Sequence, residues 1–384
     1  MFFVISPKNF KGYTHNTKGD MKYDIVGSFL APDEFLAVKS QFEANAIPQA
    51  ALTAAEDATV RQIVDRQLEA GLSEVTSGEV RRKYWDKDFY FHLLGATCER
   101  VESGSIYQEE EAFTDTIRFT DRIAYNALHP VFDDFKQLMD YTNGRAACRQ
   151  TLPSPTNLYL DILNLSDGHP ERIYPSPDTL LDDLASAYRL TILHLYELGC
   201  RHVQLDDADC GHLSNPEFEN RLVLGGIDLN TLHMQVIKLI NDTFADLPAD
   251  MKRSIYVSSG STIIPNWEAH DTPDNFMPKL LAGINVDRYY LPFRNDKTET
   301  LAILRYIPKG KEVVLGLMDA HSPIPDDTRA ITNTVRAAEK YIAPNLISIS
   351  PRTGFKLSEF ALRGLTYDDQ WLKLQRLAEI ARSL

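Results

Sequence analysis

Short apolar runs rich in β-branched and aromatic residues alternate along the chain with longer segments in which apolar residues recur every three or four positions. The short runs predict strands, and several are apolar throughout, which is typical of parallel strands buried on both faces. Eight such strands are predicted, at Tyr23–Phe29, Leu72–Val80, Ala147–Leu152, His202–Asp206, Ser254–Ser258, Val286–Leu291, Glu312–Met318 and Leu346–Ser350.

The longer periodic segments between these strands predict amphipathic helices. Their ends carry boundary residues, such as the Ser-Pro pair that begins at Ser176 and the glycine at Gly199. The predicted helices are Asp57–Ala70, Ser176–Leu198, Asp228–Phe244, Thr328–Ile342 and Asp368–Leu384. Alternating strands and helices predict a parallel sheet covered by helices, and eight strands favour closure into a (β/α)8 (TIM) barrel.

One connection is too long for a simple loop. Lys83–Asp140 follows the second strand, and we expect it to form a hairpin plus helices that cap the barrel. No low-complexity linker or internal repeat divides the chain. We therefore predict one barrel domain over residues 23–384, preceded by an N-terminal extension of residues 1–22.

Composition and charge limit the kinds of molecule that this protein is expected to bind. The 384 residues are 43% hydrophobic and 24% charged, which is enough apolar material for a large core. The formal charge of -14 disfavours binding to nucleic acid or to an anionic membrane surface. No apolar run reaches the roughly 18 residues of a membrane-spanning helix. Cys98, Cys148, Cys200 and Cys210 have no CxxC spacing, so we expect reduced thiols and a cytoplasmic location.

A parallel barrel places its functional groups at the carboxyl ends of the strands. The densest polar cluster there runs from Gln204 to His212, at the end of the fourth strand. A carboxylate at this point can hold a substrate ammonium. Asp207, Asp209, Cys210 and His212 are alternatively metal ligands, although their spacing defines no known site. A third interpretation is a turn that caps the next helix.

Two further strand ends carry candidate chemistry. After the seventh strand, His321 is suited to general acid or base catalysis, with Asp319 orienting its ring. The alternative is a loop histidine with a structural hydrogen bond. After the second strand, Glu79 is suited to binding an amine, and Arg81 or Arg82 to binding a carboxylate or phosphate. The alternative there is a solvated helix start.

These strand-end segments, taken together, resemble the catalytic domain of cobalamin-independent methionine synthase, and more closely its short single-domain bacterial homologues. The resemblance runs from Tyr23 to Leu384, and the matching segments are Val26–Leu30 (VGSFL), Thr76–Trp85 (TSGEVRRKYW), Leu152–Pro155 (LPSP), Val203–Asp207 (VQLDD), Asp319–Pro323 (DAHSP) and Ser350–Phe355 (SPRTGF). It implies a (β/α)8 fold, related also to uroporphyrinogen decarboxylase. The implied activity is methyl transfer from 5-methyltetrahydrofolate to homocysteine in methionine biosynthesis, with the homocysteine thiolate held on zinc.

The resemblance also assigns roles to individual residues. Ser28, Glu79 and Asp206 match the residues that grip the amino-acid part of homocysteine, and His321 matches the candidate proton donor to the leaving pterin. We expect these side chains to converge on one pocket, with Arg81 or its neighbour as the counter-charge. The expected partner is a small amino-acid-like substrate, with reduced folate as methyl donor. The oligomeric state stays open.

The zinc ligands of that family do not carry over. The aligned positions hold Tyr256, Ser258, Pro292 and Thr353 in place of a histidine, two cysteines and a glutamate. Zinc prefers thiolate, imidazole and carboxylate ligands, so we expect no stoichiometric zinc at these positions. Three functions remain: a pterin- or one-carbon-dependent transferase that works without zinc, a lyase or decarboxylase acting on an amino acid, and a non-catalytic amino-acid or pterin-binding protein.

Overall fold

The computed structural model describes residues 22–102, 113–164, 173–174, 176–259, 267, 275–356 and 364–384. The predicted N-terminal extension therefore lies outside the described residues, apart from its last position. All candidate site residues named above lie within them. None of the helices in these ranges is long and apolar enough to cross a membrane.

Parallel strands form the centre of the molecule. They are β1 (Lys22–Tyr23), β2 (Glu74–Val75), β5 (Ala147–Cys148), β6 (Gln150–Pro153), β7 (His202–Asp207), β8 (Lys252–Val257), β9 (Arg288–Pro292), β10 (Glu312–Met318) and β11 (Ile347–Pro351). Seven of them form one sheet in the order β1-β11-β10-β9-β8-β7-β6, and β2 pairs with β5 in a second ladder. Every ladder among these nine strands is parallel.

Helices occupy the connections between the strands. Within the described residues they are α1 (Asp33–Glu43), α2 (Gln49–Glu69), α3 (Lys87–Tyr90), α4 (Val131–Thr142), α5 (Pro155–Asn164), α6 (Pro177–Glu197), α7 (Pro216–Leu224), α8 (Leu229–Thr243), α9 (Phe276–Gly283), α10 (Thr328–Ala338) and α11 (Tyr367–Ser383). Short 3-10 helices lie at Cys210–Ser214, Thr298–Tyr306 and Pro344–Leu346. The predicted cap of α6 is present, because the Ser176 side chain accepts a hydrogen bond from the Thr179 backbone N–H.

The last five predicted strands agree with the structure to within two residues at either end. The first two are shorter than predicted, since β1 and β2 end at Tyr23 and Val75. Gly27 and Gly78 have φ angles of 64° and 68°, and this left-handed backbone cannot continue an extended strand. The described strands contain no ladder between β1 and β2, so the observed architecture is an α/β fold with a mostly parallel central sheet.

The long insertion after β2 contains the predicted hairpin. Its strands, β3 (Leu94–Glu102) and β4 (Phe113–Ala124), are antiparallel, and α3 and α4 flank them along the chain. Residues 103–112 of the insertion lie outside the described part of the chain.

A buried ion network joins Asp24 to residues at the amino-terminal ends of other strands, including the first residues of β2, β7 and β9. Asp24, directly after β1, accepts two hydrogen bonds of 3.0 Å from Arg149 and one of 2.9 Å from Arg288. The Tyr290 hydroxyl donates to the same carboxylate at 2.7 Å. We call this group, with Glu74 and His202, the Asp24 network. Because its members come from strands that are not neighbours in the sheet, one carboxylate joins distant parts of the chain.

Glu74, the first residue of β2, extends this network. Its carboxylate lies 2.9 Å from His202 Nδ1 and 3.5 Å from the Arg288 guanidinium. Burial by itself would raise the pKa of Glu74, but the imidazole and the nearby guanidinium groups outweigh burial and hold this pKa well below its ordinary value. A carboxylate with a depressed pKa stabilises the fold at neutral pH, and that stabilisation is lost as the pH falls through the folded-state pKa.

Replacing Asp24 with asparagine should strongly destabilise the protein. We expect the free energy of unfolding at pH 7, measured by urea denaturation, to fall by about 3–5 kcal/mol, because two buried guanidinium groups each lose one of their charged partners. The matched control is Asp65→Asn, which removes the exposed partner of Arg145 and should cost at most about 1 kcal/mol. Equal, small losses in both variants would contradict the structural importance of the Asp24 network.

Candidate functional site

The three predicted amino-acid-binding side chains lie at the carboxyl ends of strands. Ser28 and Glu79 follow β1 and β2, and Asp206 is the penultimate residue of β7. Their exposed fractions are only 7%, 5% and 8%. The Ser28 hydroxyl donates a hydrogen bond to the Glu79 carboxylate, so these side chains join the segments after β1 and β2. We call Ser28, Glu79 and Asp206 the acidic pocket.

Glu79 is held from several directions. Besides the serine, its carboxylate accepts hydrogen bonds from the Thr151 hydroxyl at 2.7 Å and from the Arg82 guanidinium at 2.9 Å. The backbone of Glu79 has a φ angle of 58°, a left-handed conformation that residues with a Cβ adopt rarely. Backbone strain of this kind concentrates at active sites and ligand clamps. The turn therefore serves to place this carboxylate.

Asp206 shares its low-dielectric surroundings with Glu79. Burial, and after it the negative charge of Glu79, raises the pKa of Asp206 to about 7. The Gln204 amide donates to Asp206 Oδ1 at 2.6 Å, which partly opposes this rise. The negative charge of Glu79 thus disfavours the ionised form of Asp206. A cation bound between them would relieve that repulsion.

Two glycines bring the segments after β1 and β11 into contact. A Cβ on Gly27 would lie 2.9 Å from the Gly354 Cα, and a Cβ on Gly354 would lie 2.5 Å from the Ser28 backbone nitrogen. The Ser28 carbonyl accepts a hydrogen bond of 2.8 Å from the Phe355 N–H. These two segments therefore form one continuous wall beside the acidic pocket.

His321, in the loop after β10, packs on the same wall. Its Nε2 lies 3.1 Å from the Gly354 carbonyl oxygen and 3.1 Å from the Thr353 hydroxyl. The sequence predicts that Asp319 orients this ring. In the structure, the Asp319 carboxylate instead accepts the backbone N–H of His321 at 2.9 Å, so it fixes the turn. The contacts of the ring nitrogen are with Thr353 and Gly354.

The sequence names Arg81 as a substrate-binding residue, and in the structure its guanidinium pairs with carboxylates outside the acidic pocket. The Arg81 guanidinium lies 2.5 Å from Asp57 and 3.5 Å from Asp134, carboxylates of α2 and α4. The neighbouring Arg82 is the residue that contacts Glu79, and it also donates to the Thr151 carbonyl at 2.5 Å. Arg82 is therefore the counter-charge of the acidic pocket.

The four positions that the resemblance assigns to zinc do not offer a suitable ligand set. The Ser258 hydroxyl donates to a backbone carbonyl, the Thr353 hydroxyl contacts the imidazole described above, and Pro292 has no side-chain donor. Burial and the Asp206 charge raise the pKa of Tyr256 above its ordinary value, so this phenol is neutral at physiological pH. Zinc prefers thiolate, imidazole and carboxylate ligands, so these residues do not fit it.

The polar segment after β7 makes capping contacts. Asp207 Oδ1 accepts the backbone N–H groups of Asp209 at 3.2 Å and Cys210 at 2.8 Å, and the Thr156 hydroxyl donates to Oδ2. The described part of the chain contains no group of three or more His, Cys, Asp or Glu side chains that could hold a metal ion. The contacts of Asp207 thus agree with the turn interpretation, and the metal interpretation, which also required His212, finds no support.

Two contacts of the acidic pocket are given no role by the sequence reasoning: Thr151, which it does not mention, and Gln204, which it includes only as the first residue of the polar cluster. Both are buried polar residues within strands of otherwise buried residues. A polar side chain at such a position must find a hydrogen-bond partner inside the protein or on a ligand. That rule is the sequence signal that could have identified them.

Comparison with known proteins gives matches over almost the whole chain. The uncharacterized Bacillus subtilis proteins YxjH and YxjG are each 27% identical to it, over 368 and 370 residues, and the matches cover 96% of this chain and 95% of each relative. The methionine synthase of Pyrococcus abyssi is 21% identical over 337 residues, covering 87% of this chain and 86% of that protein. No family model matches the chain.

Solved structures give a closer indication of the fold. A Listeria monocytogenes protein described as a candidate vitamin-B12-independent methionine synthase has a TM-score of 0.72 at 24% identity, covering 96% of this chain and 99% of that one. This chain has the fold of the B12-independent methionine-synthase-like proteins. The Shewanella sp. W3-18-1 B12-independent methionine synthase, solved in complex with selenomethionine, has a TM-score of 0.68 at 18% identity, covering 95% and 98%. The resemblance carried by the strand-end motifs is thereby confirmed.

Replacing Glu79 with glutamine should lower the pKa of Asp206 from about 7 towards its ordinary value, because the substitution removes a negative charge that raises it. The pKa can be measured by ¹³C NMR of the aspartate carboxyl carbons. In the native protein, a folded-state pKa above the unfolded one means that the contribution of Asp206 to stability falls as the pH rises towards 7. Glu79→Gln should reduce this loss, whereas the exposed Glu99→Gln control should not. An unchanged Asp206 titration in Glu79→Gln would contradict the shared pocket.

Proposed function

We propose that this chain binds an α-amino acid in the acidic pocket and acts as a methionine-synthase-like methyltransferase that does not use zinc. The observation that carries this proposal is the placement of Ser28, Glu79 and Asp206 at three strand ends, with the two carboxyl groups close enough to perturb each other. The ammonium of an amino acid would compensate both carboxylates. Its carboxylate would meet the Ser28 hydroxyl and the backbone N–H groups near Gly27.

The comparisons support the choice of an amino acid. The Shewanella protein, whose fold covers almost all of this chain, was solved with selenomethionine bound. The Methanosarcina mazei structure with a TM-score of 0.53, at 11% identity and covering 95% of this chain and 94% of that one, is a methyltransferase. In our proposal, reduced folate is the methyl donor and His321 moves a proton near the pocket. Thr353 and Gly354 position its ring, and Asp319 positions its backbone.

The proposal includes closure of the sheet into a (β/α)8 barrel over residues 23–384. Two contacts across the gap between β1 and β2 support closure: the Phe29 N–H donates to the Gly78 carbonyl at 3.0 Å, and Ser28 donates to Glu79. The insertion would cap the carboxyl end of this barrel. In support, the Tyr90 hydroxyl of α3 donates at 3.2 Å to the carbonyl of Ser154, directly after β6.

Replacing Asp206 with asparagine should weaken binding of L-methionine by about 1.5–3 kcal/mol, the range for a hydrogen bond to a charged group. Isothermal titration calorimetry at neutral pH measures the change. The control variant Asp65→Asn makes the same substitution at an exposed ion pair and should bind as the native protein does. The proposal fails if the native protein binds neither methionine nor homocysteine, or if Asp206→Asn binds them with native affinity.

The purified protein should hold well below one zinc ion per chain, because Tyr256, Ser258, Pro292 and Thr353 do not form a zinc ligand set. Elemental analysis of protein purified without chelator measures this content. A single tightly bound zinc ion per chain, lost on replacing Tyr256 or Thr353, would contradict the zinc-independent part of the proposal.

A further inference from the structure

Asn157 Oδ1, on the α5 residue that donates to the Asp206 carbonyl, has no hydrogen-bond partner among the described residues, and two polar atoms of the sheet beside Asp206 have none either. They are Oε1 of the Gln204 amide and the hydroxyl of Tyr256. Gln204 is fully buried and Tyr256 is 6% exposed. Buried polar groups in folded proteins are nearly always hydrogen-bonded, because leaving one unsatisfied is costly. Two such atoms beside one pocket indicate that their partners belong to a bound molecule.

The register of the sheet places both side chains beside the acidic pocket. Gln204 precedes Asp206 by two residues in β7, so the two side chains lie on the same face of the strand. Tyr256 is the partner of Asp206 in the ladder between β7 and β8. Its ring packs in a small apolar cluster with Tyr290 and Val314. This packing holds the Tyr256 ring in place, and its hydroxyl is the part of the side chain that has no hydrogen-bond partner among the described residues.

The orientation of the Gln204 amide follows from its other contact. Its Nε2 donates to Asp206 Oδ1 at 2.6 Å, so Oε1 is the atom that remains, and it can only accept. The pocket then offers three kinds of acceptor: the Glu79 carboxylate, the Asp206 carboxylate and this amide oxygen. A primary ammonium carries three N–H donors. The three acceptor groups equal the three N–H donors in number, and the negative carboxylates complement the positive charge of the ammonium.

We propose that Gln204 and Tyr256 are recognition residues for a free primary α-amino acid. Gln204 Oε1 accepts one N–H of the ligand ammonium, while Glu79 and Asp206 accept the other two. The Tyr256 hydroxyl donates to an acceptor atom of the same ligand, because a neutral phenol is a donor at physiological pH. This inference rests on the function proposed above and adds that the ammonium must be unmodified.

A ligand series tests the requirement for the ammonium. With the full-length protein, we expect L-methionine to bind at least roughly 10-fold more tightly than N-acetyl-L-methionine or 3-(methylthio)propionate, because both analogues lack a charged donor. Isothermal titration calorimetry at neutral pH measures all three affinities. Equal affinity for L-methionine and its N-acetyl derivative would overturn the inference.

The variant Tyr256→Phe tests the tyrosine, since it deletes only the unpartnered hydroxyl. Without ligand, its melting temperature should equal or slightly exceed that of the native protein, because no existing hydrogen bond is lost. Its affinity for L-methionine should fall by roughly 3- to 10-fold, as expected for one hydrogen bond. The matched control is Tyr367→Phe on α11, whose hydroxyl also has no partner among the described residues. This control should leave the affinity unchanged.

The outcomes separate this inference from the proposed function. If L-methionine binds and Asp206→Asn weakens it, but Tyr256→Phe binds like the native protein, the inference fails and the proposed function stands. If the native protein binds no amino acid, both fail. If Tyr256→Phe does not fold, the ligand series decides the inference alone.

Discussion

The Asp24 carboxylate holds together strands that are far apart in the chain and in the sheet. Arg149, Arg288 and Tyr290 all donate to it, and they belong to the β5–β6 segment and to β9. Charged groups buried this deeply are stable only as a complete set, because one unpaired member costs several kcal/mol. The Asp24 network therefore favours a single arrangement of the strands that it joins. That arrangement also fixes where their opposite ends meet.

The acidic pocket lies at the opposite ends of these strands, so its geometry depends on the strand arrangement that the Asp24 network fixes. Val26, Tyr256, Tyr290 and Val314 form a small apolar cluster in the interior. Tyr290 belongs both to this cluster and to the Asp24 network, and Tyr256 neighbours Asp206 in the ladder. The interior thus runs from an ion network in which, among the described residues, only Arg149 Nε lacks a partner, through a thin apolar region, to an acidic pocket beside the unpartnered Gln204 Oε1 and Tyr256 hydroxyl. We expect substitutions in the Asp24 network to destabilise the protein. The unpartnered atoms beside the acidic pocket, by contrast, remain able to form hydrogen bonds with a ligand.

Sequence patterns predicted the later strands and five of the eleven described helices (α2, α6, α8, α10 and α11), because continuous apolar runs and helix-capping residues are local signals. They overextended β1 and β2, where left-handed glycines end the strands, and they placed the start of α2 at Asp57 rather than Gln49. The choice between Arg81 and Arg82 could not be made from spacing. It depends on contacts that only the fold creates, since Arg82 reaches the Glu79 carboxylate and Arg81 reaches Asp57 of α2.

The Asp24 network was also absent from the sequence reasoning. Its members come from several different strands and lie up to 266 positions apart, so only the fold brings them together. The ends of the strands were different, since motifs in a known order placed Ser28, Glu79 and Asp206 at strand ends, as the structure does, while their role in substrate binding stays a prediction. What motifs could not show is the shared electrostatics of the two carboxyl groups, which comes from burial in one pocket.

A crystal structure of the protein grown with L-methionine tests the central claim most directly. We expect the ligand ammonium to lie within hydrogen-bonding distance, about 2.7–3.2 Å, of both Glu79 and Asp206, with the strand ends arranged as described here. Methionine bound elsewhere, or a saturated crystal in which the pocket between these carboxylates is closed by packed side chains, would contradict the account.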